Sequence, residues 1–366
     1  MSAHVTKKAP GRRPRPFWLR RPAMIARGLR LDRDRPDLDQ LNKINDPEEF
    51  VWAVLPYAAR SFAPSILLLP EKAARTFAVA YLYARMLDTY EDLSSGPVEA
   101  QDSLEAFAAR FRSDPLAFAP DPPSPTAVSS CDRAHLLLVK RYALVDEVFR
   151  GLPEGDRERI AALIRLMATG MATYSEVFHR QNGVLEHAEQ VSDYCHRAIG
   201  LPALFVLDTF FGEVSADHRR HALRVSELIQ LANITRDIEK DLQGGVAYHP
   251  RLRPYLGSDG LGAARSAVRQ TRKDLVIIAA ARVDSFRLLL DGHALPSFSL
   301  ARSAAVLLML FTERHYRRMA AAVGLNSWRG PRSVFAMLLA SLPAIWSARW
   351  ADRVLRRAER GLRAIS

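Results

Sequence analysis

The chain has 366 residues, 48% of them hydrophobic, and a formal net charge of +12. It is long enough to bury a large core, and its two cysteines, Cys131 and Cys195, form no zinc or redox spacing, so a reducing compartment and no required disulfide are expected. The charge sits at the ends: residues 1–36 hold eleven Lys/Arg against two acidic residues and residues 346–366 hold six arginines against two, while the middle is close to neutral. Such tails attract anionic lipid or stay solvated, and with no groove-reading helix a nucleic-acid partner is not expected.

Residues 1–44 read as a basic, partly disordered segment. Pro10, Pro14, Pro16 and Pro22 argue against a helix there, and the segment lacks the apolar stretch of a secretory signal. Asp46-Pro47-Glu48-Glu49 places proline at a first helical position and predicts a helix over 47–60. A second is predicted over 71–93 and a third over 99–112. Five prolines between 114 and 125 then read as a long surface loop. Helices resume over 132–150, 155–180, 187–212, 216–242, 260–290 and 298–322, with a glycine- and proline-punctuated loop after Asp241. The apolar run 334–346 has thirteen residues and an internal Pro343, too short to span a bilayer. Followed by an arginine-rich helix over 347–364, it predicts peripheral membrane contact. The expected class is all-α, a single-domain helical bundle.

Two acidic clusters lie in these helices. In Asp88-Thr89-Tyr90-Glu91-Asp92 and in Asp237-Ile238-Glu239-Lys240-Asp241 the outer aspartates stand four apart and share a helix face. Like charges at that spacing repel by roughly 0.2–0.5 kcal/mol. Two such pairs across a cavity suit Mg²⁺ or Mn²⁺ bridging to a diphosphate. Tyr81, Arg85 and Glu91 share the face of Asp88. Asn233 shares that of Asp237, beside Arg236. The alternatives are an exposed helix end for the first cluster and local pairing of Lys240 with Glu239 or Asp237 in the second. In Asp193–Gly200, Tyr194 can hand over a proton or steady a cation by its ring, or simply pack. Cys195 and His196 diverge on a helix and make no nucleophile pair. Arg60-Ser61-Phe62 joins phosphate-type donors to an aromatic.

In order and spacing these segments resemble the squalene/phytoene synthase family over roughly residues 45–325. Asp-Thr-x-Glu-Asp and Tyr-Cys-His resemble the squalene synthases more than the phytoene synthases. The resemblance implies a helical bundle around a deep central cavity, with both clusters at its mouth, and a catalytic domain over 45–325 followed by a helical, arginine-rich segment at 326–366. It implies two farnesyl diphosphates condensed head to head through presqualene diphosphate, then reduced to squalene by NADPH. Asp88, Glu91, Asp92, Asp237 and Asp241 would hold the metal ions. Arg60, Arg85 and Arg236 would hold the diphosphates, with Ser61, Phe62, Tyr81 and Asn233 binding substrate, Tyr194 acting in the coupling step and Arg329 binding NADPH. Phe205, Phe211 and Phe298 are candidate cavity linings. Two departures stand out. Val246 replaces an arginine in the loop after the second cluster, where Arg251 or Arg253 is expected to compensate, and no lysine stands two before Arg329. The alternatives are a condensation-only enzyme giving presqualene diphosphate, dehydrosqualene or phytoene, and a non-enzymatic relative, which intact clusters disfavour. A monomer is expected, cytoplasmic and peripheral at the inner membrane surface.

Overall fold

The computed structural model describes residues 16–32, 35–60, 62–125, 128–257, 262–291, 295–325, 329–331 and 333–365. In chain order its helices are α1 (Phe17–Arg30), α2 (Leu38–Lys43), α3 (Pro47–Ala59), α4 (Phe62–Leu68), α5 (Glu71–Leu93), α6 (Pro97–Ala109), α7 (Ser130–Lys140), α8 (Tyr142–Arg150), α9 (Glu154–Arg180), α10 (Ala188–Cys195), α11 (Leu201–Phe211), α12 (Ala216–Gln243), α13 (Arg265–Ala280), α14 (Asp284–Asp291), α15 (Leu300–Val323), α16 (Val334–Ser341) and α17 (Ala348–Arg363). The described residues hold no β-strand, only an isolated parallel bridge between Val184 and Ala247. The all-α expectation holds.

The helix starts follow local chemistry. Asp46 accepts from the Glu49 amide at 2.8 Å ahead of Pro47, and the Ser129, Ser215, Ser299 and Ser347 side chains cap α7, α12, α15 and α17 in the same way. Three predicted helices are broken instead. The 132–150 stretch divides at Arg141, whose guanidinium turns to the carbonyls of Asn42 (2.5 Å) and Ile44 (2.6 Å). The 260–290 stretch divides at residues 281–283, where Arg282 turns to Glu227 (2.7 Å). The 187–212 stretch is interrupted by a π turn, His196–Gly200, with the Leu201 amide donating to the His196 carbonyl. Pro202 has no amide to donate, so the narrower pattern cannot run on there. Conversely, the prolines did not prevent a helix at 17–30. Pro16 stands at its N-cap, and Pro22 is accommodated inside a helix whose Phe17 packs on Trp52 (5.2 Å between ring centroids) and whose Gly28 lies against Pro56.

α5 is the central strut, packed on α3, α6, α7 and α9, with Tyr83, Met86, Leu87 and Tyr90 fully buried. α12 packs instead on α13, α14 and the π turn, and α15 joins α4 to α13, α16 and α17. The proline-rich stretch of 113–125 is pinned from within: the Tyr90 hydroxyl donates to the Pro120 carbonyl (2.7 Å) and Arg110 to that of Ala117 (2.7 Å). Arg110 is 1% exposed, lies over the rings of Phe107 and Tyr142, and pairs with Asp146 at 2.5 Å. Asp146 also accepts from the buried Tyr83 hydroxyl at 2.8 Å.

Removing one partner of this buried pair strands a charge, so Asp146→Ala is expected to lower unfolding free energy by about 3–5 kcal/mol. Replacing both, as Arg110→Met with Asp146→Leu, is expected to restore most of that loss. Denaturant titration of the two variants checks this, and equal losses in both would show that the pair itself is not the cause.

Candidate active site

Stripes of half-buried side chains mark an interior space. On α5 they are Tyr81, Arg85, Asp88 and Glu91, on α12 Gln230, Asn233, Asp237 and Asp241, and on α15 Ala301, Ala305, Leu308, Phe311 and His315. The spacing in each is one helix face. α11, a strongly apolar segment, leaves Leu201, Leu204 and Phe210 half-buried as well. Residues that keep water access while their helices are packed on the other sides border a concavity. The charges confirm that α5 and α12 face each other. Asp92 feels the Lys240 ammonium, Asp241 feels Asp92, and Arg236 feels Tyr81.

Crowded carboxylates in this concavity bind protons more tightly than usual. Burial, then Asp92 and Asp88, push Glu91 up to about 8. Burial and Asp88 push Asp92 up to about 6, against the pull of Arg85 and Lys240. Burial and Asp237 push Asp241 up to about 6, against a hydrogen bond from Tyr248. Each cluster holds an arginine in reserve: Arg85 pairs with Asp88 at 3.0 Å, and Arg236 is bidentate on Asp237 at 2.8 and 2.5 Å. Glu239 pairs with Arg272 and Asp237 with Arg236, and the Lys240 charge acts on Asp92 across the space and on its neighbour Asp241. The Asn233 amide donates to Gln230 at 3.0 Å.

Arg60, at the C-terminal end of α3, reaches α7 on the first cluster's side. It has φ +45°, a strained value for a residue with a Cβ, and its guanidinium contacts the Cys131 sulfur at 3.0 Å. Next to it His135 is driven down to about 4 by burial and by the Arg85 and Arg60 charges, which sets both arginines on one side of the site. Phe62 packs on Tyr81 with ring centroids 5.8 Å apart, and Arg85 reaches the Tyr81 hydroxyl at 3.5 Å. Ser61 lies outside the described residues.

Tyr194 enters from α10 and feels Glu91 and Asp241, one from each cluster. It is packed by Tyr174 (5.1 Å), Phe178 (6.1 Å) and Tyr248 (5.5 Å between centroids), and Tyr248 also hydrogen-bonds to it. Tyr248 is a site residue that sequence reasoning missed, although it occupies a phenylalanine position in the Gly-Gly-Arg-Glu-Phe-Trp-Pro pattern that 244–250 otherwise resembles. A backbone clamp puts it there. The Ala247 amide donates to the Gly183 carbonyl (2.8 Å) and the Leu185 amide to that of Ala247 (2.9 Å). Gly183, at φ +82°, is obligatory, because a Cβ there would lie 2.1 Å from the Gly245 carbonyl oxygen. The π turn is fixed from behind: Glu227 accepts from Ser192 (2.8 Å) and from Arg282 (2.7 Å) and lies 2.8 Å from the His196 ring nitrogen. Two close packings hold it in place. A Cβ on Gly200 would lie 2.9 Å from Leu223, and one on Gly170 would lie 3.1 Å from the Arg197 Cβ. Glu227 and His315 also went unread in the sequence. His315 lies 2.9 Å from the Thr235 hydroxyl and feels Arg236 and Asp237.

Some expected residues are elsewhere. Arg251 pairs with Asp274 at 2.7 Å and Arg253 with Glu186, so neither supplies the cation missing at Val246. Arg329 is exposed beside α17, its carbonyl accepting from Arg357 at 3.2 Å. Phe298 is 56% exposed against Trp346, on the outer surface and not in the cavity. Phe205 is buried against Phe77 (5.5 Å), and Phe211 packs on Phe210 (6.1 Å).

The family model for squalene/phytoene synthase matches residues 55–336. The chain belongs to that family. Its members are enzymes of the prenyltransferase type. The chain is 27% identical over 207 residues to squalene synthase of Schizosaccharomyces pombe, covering 55% of this chain and 43% of that one. It is 26% identical over 221 residues to human squalene synthase, covering 59% and 49%, and 26% identical over 202 residues to inactive squalene synthase 2 of Arabidopsis thaliana, covering 53% and 44%. The matches thus span less than half of these relatives' length. A solved structure of TcSQS with the ligand BPH1237 superposes with a TM-score of 0.62 at 19% identity, covering 88% of this chain and 100% of that one, which shows a shared fold.

The Glu227 network makes a pH prediction. Burial pushes this carboxyl up, but hydrogen bonds from His196, Arg282 and Ser192 hold it down at about 2. A depressed carboxyl stabilises the fold above its unfolded value and loses that contribution as pH falls. Melting temperature should therefore fall between about pH 4.5 and 2 more steeply in the parent than in Glu227→Gln. Parallel acid limbs in the two proteins would remove Glu227 as a contributor.

Proposed function

We propose that the chain condenses two farnesyl diphosphates head to head, through presqualene diphosphate, and reduces that intermediate to squalene with NADPH. The observation that carries the reading is the pair of carboxylate stripes, each with an arginine, set across one space with Tyr194 between them.

Mg²⁺ or Mn²⁺ fits this donor set: only oxygen ligands, crowded enough to bind protons tightly, a repulsion that a divalent cation relieves. Asp88, Glu91 and Asp92 would hold it on one side, Asp237 and Asp241 on the other. Among the described residues no three such side chains stand together as a preformed metal site, so water and substrate phosphate oxygens would have to complete the ion's shell. Bound there, the ions supply charge neutralisation at the departing diphosphate. The protein does the rest. Arg85 and Arg236 can exchange their aspartates for phosphate oxygens, with Arg60 on the first cluster's side. The apolar half-buried residues of α11 and α15 keep water from the allylic cation. The Tyr194 hydroxyl stays protonated, because burial and then Glu91 push it up. Its part is therefore to steady the cation with its ring and relay the released proton towards Asp241, not to act as a phenolate.

The reductive half rests on different residues. Arg314 and Arg318 on α15 crowd each other's charge, and Arg318 bears on His315 beside the second cluster, an arrangement suited to a nicotinamide cofactor's phosphates. A second reading, condensation alone, is favoured by Val246 and by the outward engagement of Arg251, Arg253 and Arg329.

Purified protein given farnesyl diphosphate and Mg²⁺ should accumulate presqualene diphosphate and yield squalene only when NADPH is added. A product set indifferent to NADPH selects the second reading, and turnover of a C20 but not a C15 diphosphate overturns the assigned substrate. Asp88→Asn and Asp241→Asn should each lose at least about 100-fold in kcat, as expected when a charge-neutralising ion is displaced. Full turnover in either would refute the metal assignment.

A further inference from the structure

α16, the turn after it and the start of α15 carry large exposed apolar side chains: Phe335 (61% exposed) and Leu339 (51%) one turn apart on α16, Trp346 (66%) after the short turn that follows, and Phe298 (56%) just before α15. Phe298 and Trp346 lie edge to face with centroids 6.0 Å apart. These residues belong to no flexible tail. The Ser299 amide donates to the Ile345 carbonyl (2.8 Å), Arg302 to that of Ala344 (3.1 Å) and Trp350 to that of Ala340 (2.9 Å). The patch is therefore held out into solvent by the buried framework beneath it, at a hydration cost that folding alone does not explain.

Its surroundings select a partner. Residues 329–351 contain no acidic side chain. α17, which follows directly, exposes Arg349, Arg353, Arg356, Arg360 and Arg363 at the spacing of a single helix face. Glu359 is buried and held by Arg287, Asp352 pairs with Arg356 and Arg363 reaches Asp284 at 3.6 Å, so the cationic character of the face rests on Arg349, Arg353 and Arg360. Arg353 lies over the Trp350 ring, which ties the cationic face to the apolar patch. Aromatic and leucine side chains beside an arginine stripe match the boundary between headgroups and acyl chains of an anionic bilayer. A protein partner for this face would have to supply both an apolar groove and a row of carboxylates.

We propose that α16, the turn at residues 342–345 and α17 form a docking surface for an anionic lipid bilayer, with Phe335, Leu339 and Trp346 inserted and the α17 arginines on the headgroups. α15 runs from Leu300 at this patch to His315 beside the second acidic cluster, about 22 Å along its axis.

Flotation of the full chain with vesicles tests this without any assay of activity. Binding is expected to phosphatidylcholine vesicles containing phosphatidylglycerol, to weaken as salt is raised, and to be poor with phosphatidylcholine alone. Phe335→Ser with Trp346→Ser, and separately Arg349→Gln with Arg353→Gln and Arg360→Gln, should each weaken it at least about tenfold. All five positions are exposed, and an unchanged melting temperature confirms folding. Undiminished binding in both variants overturns the proposal. So does loss of binding only on removal of residues 1–15, which would place the contact in the basic tail. Concentration-dependent dimerisation abolished by the aromatic pair would assign the patch to a second copy of the chain instead.

Discussion

The arrangement turns on repulsion among carboxylates that the fold refuses to separate. Asp88, Glu91 and Asp92 on one helix and Asp237 and Asp241 on another share a concavity, and Glu91, Asp92 and Asp241 hold their protons more tightly than usual in response. No close packing between α5 and α12 could survive such charge. Each helix is instead held from its far side, α5 by α3, α6, α7 and α9, α12 by α13 and α14, and the gap stays open for a ligand that carries cations with it. The reserve of energy in that repulsion is what a metal diphosphate releases on binding.

The arginines temper this field without cancelling it. Arg85 and Arg236 sit on the first aspartate of each cluster, while the outer Asp92 is eased by the charges of Arg85 and Lys240 and Asp241 by Tyr248 and Lys240. Each cluster thus has one aspartate engaged and one in waiting. A diphosphate offers the guanidinium groups a stronger partner and frees the engaged carboxylates at the moment cations arrive.

The long helices were legible because apolar periodicity ran unbroken through α5, α9, α12 and α15, and the site's acidic and arginine members because their spacing is helical. What the sequence did not disclose were features written in distant contacts. Arg141 breaks one predicted helix by reaching Asn42 and Ile44, and Arg282 another by reaching Glu227. Periodicity is blind to both. The same limit applies to Arg251 and Arg253, near the second cluster in sequence yet drawn away by Asp274 and Glu186. Tyr248 needed the Gly183 turn, more than sixty residues earlier, to bring it against Tyr194. The helix at 17–30 is masked by its prolines, which break a helix only by the position they occupy: Pro16 takes the N-cap, and Pro22 lies inside.

The π turn at His196–Gly200 has a consequence for how α10 and α11 share their work. A wider turn holds one residue more than its α-helical equivalent, so it acts as a phase shifter between the segments on either side. Take one residue out and the two would join as a continuous α-helix, with everything beyond it rotated by about 100° relative to Tyr194. Phe205 and Phe210, which now meet Phe77, would swing away while Tyr194 stayed in place. The ring between the carboxylates and the apolar wall of α11 face the same space because of a single added residue.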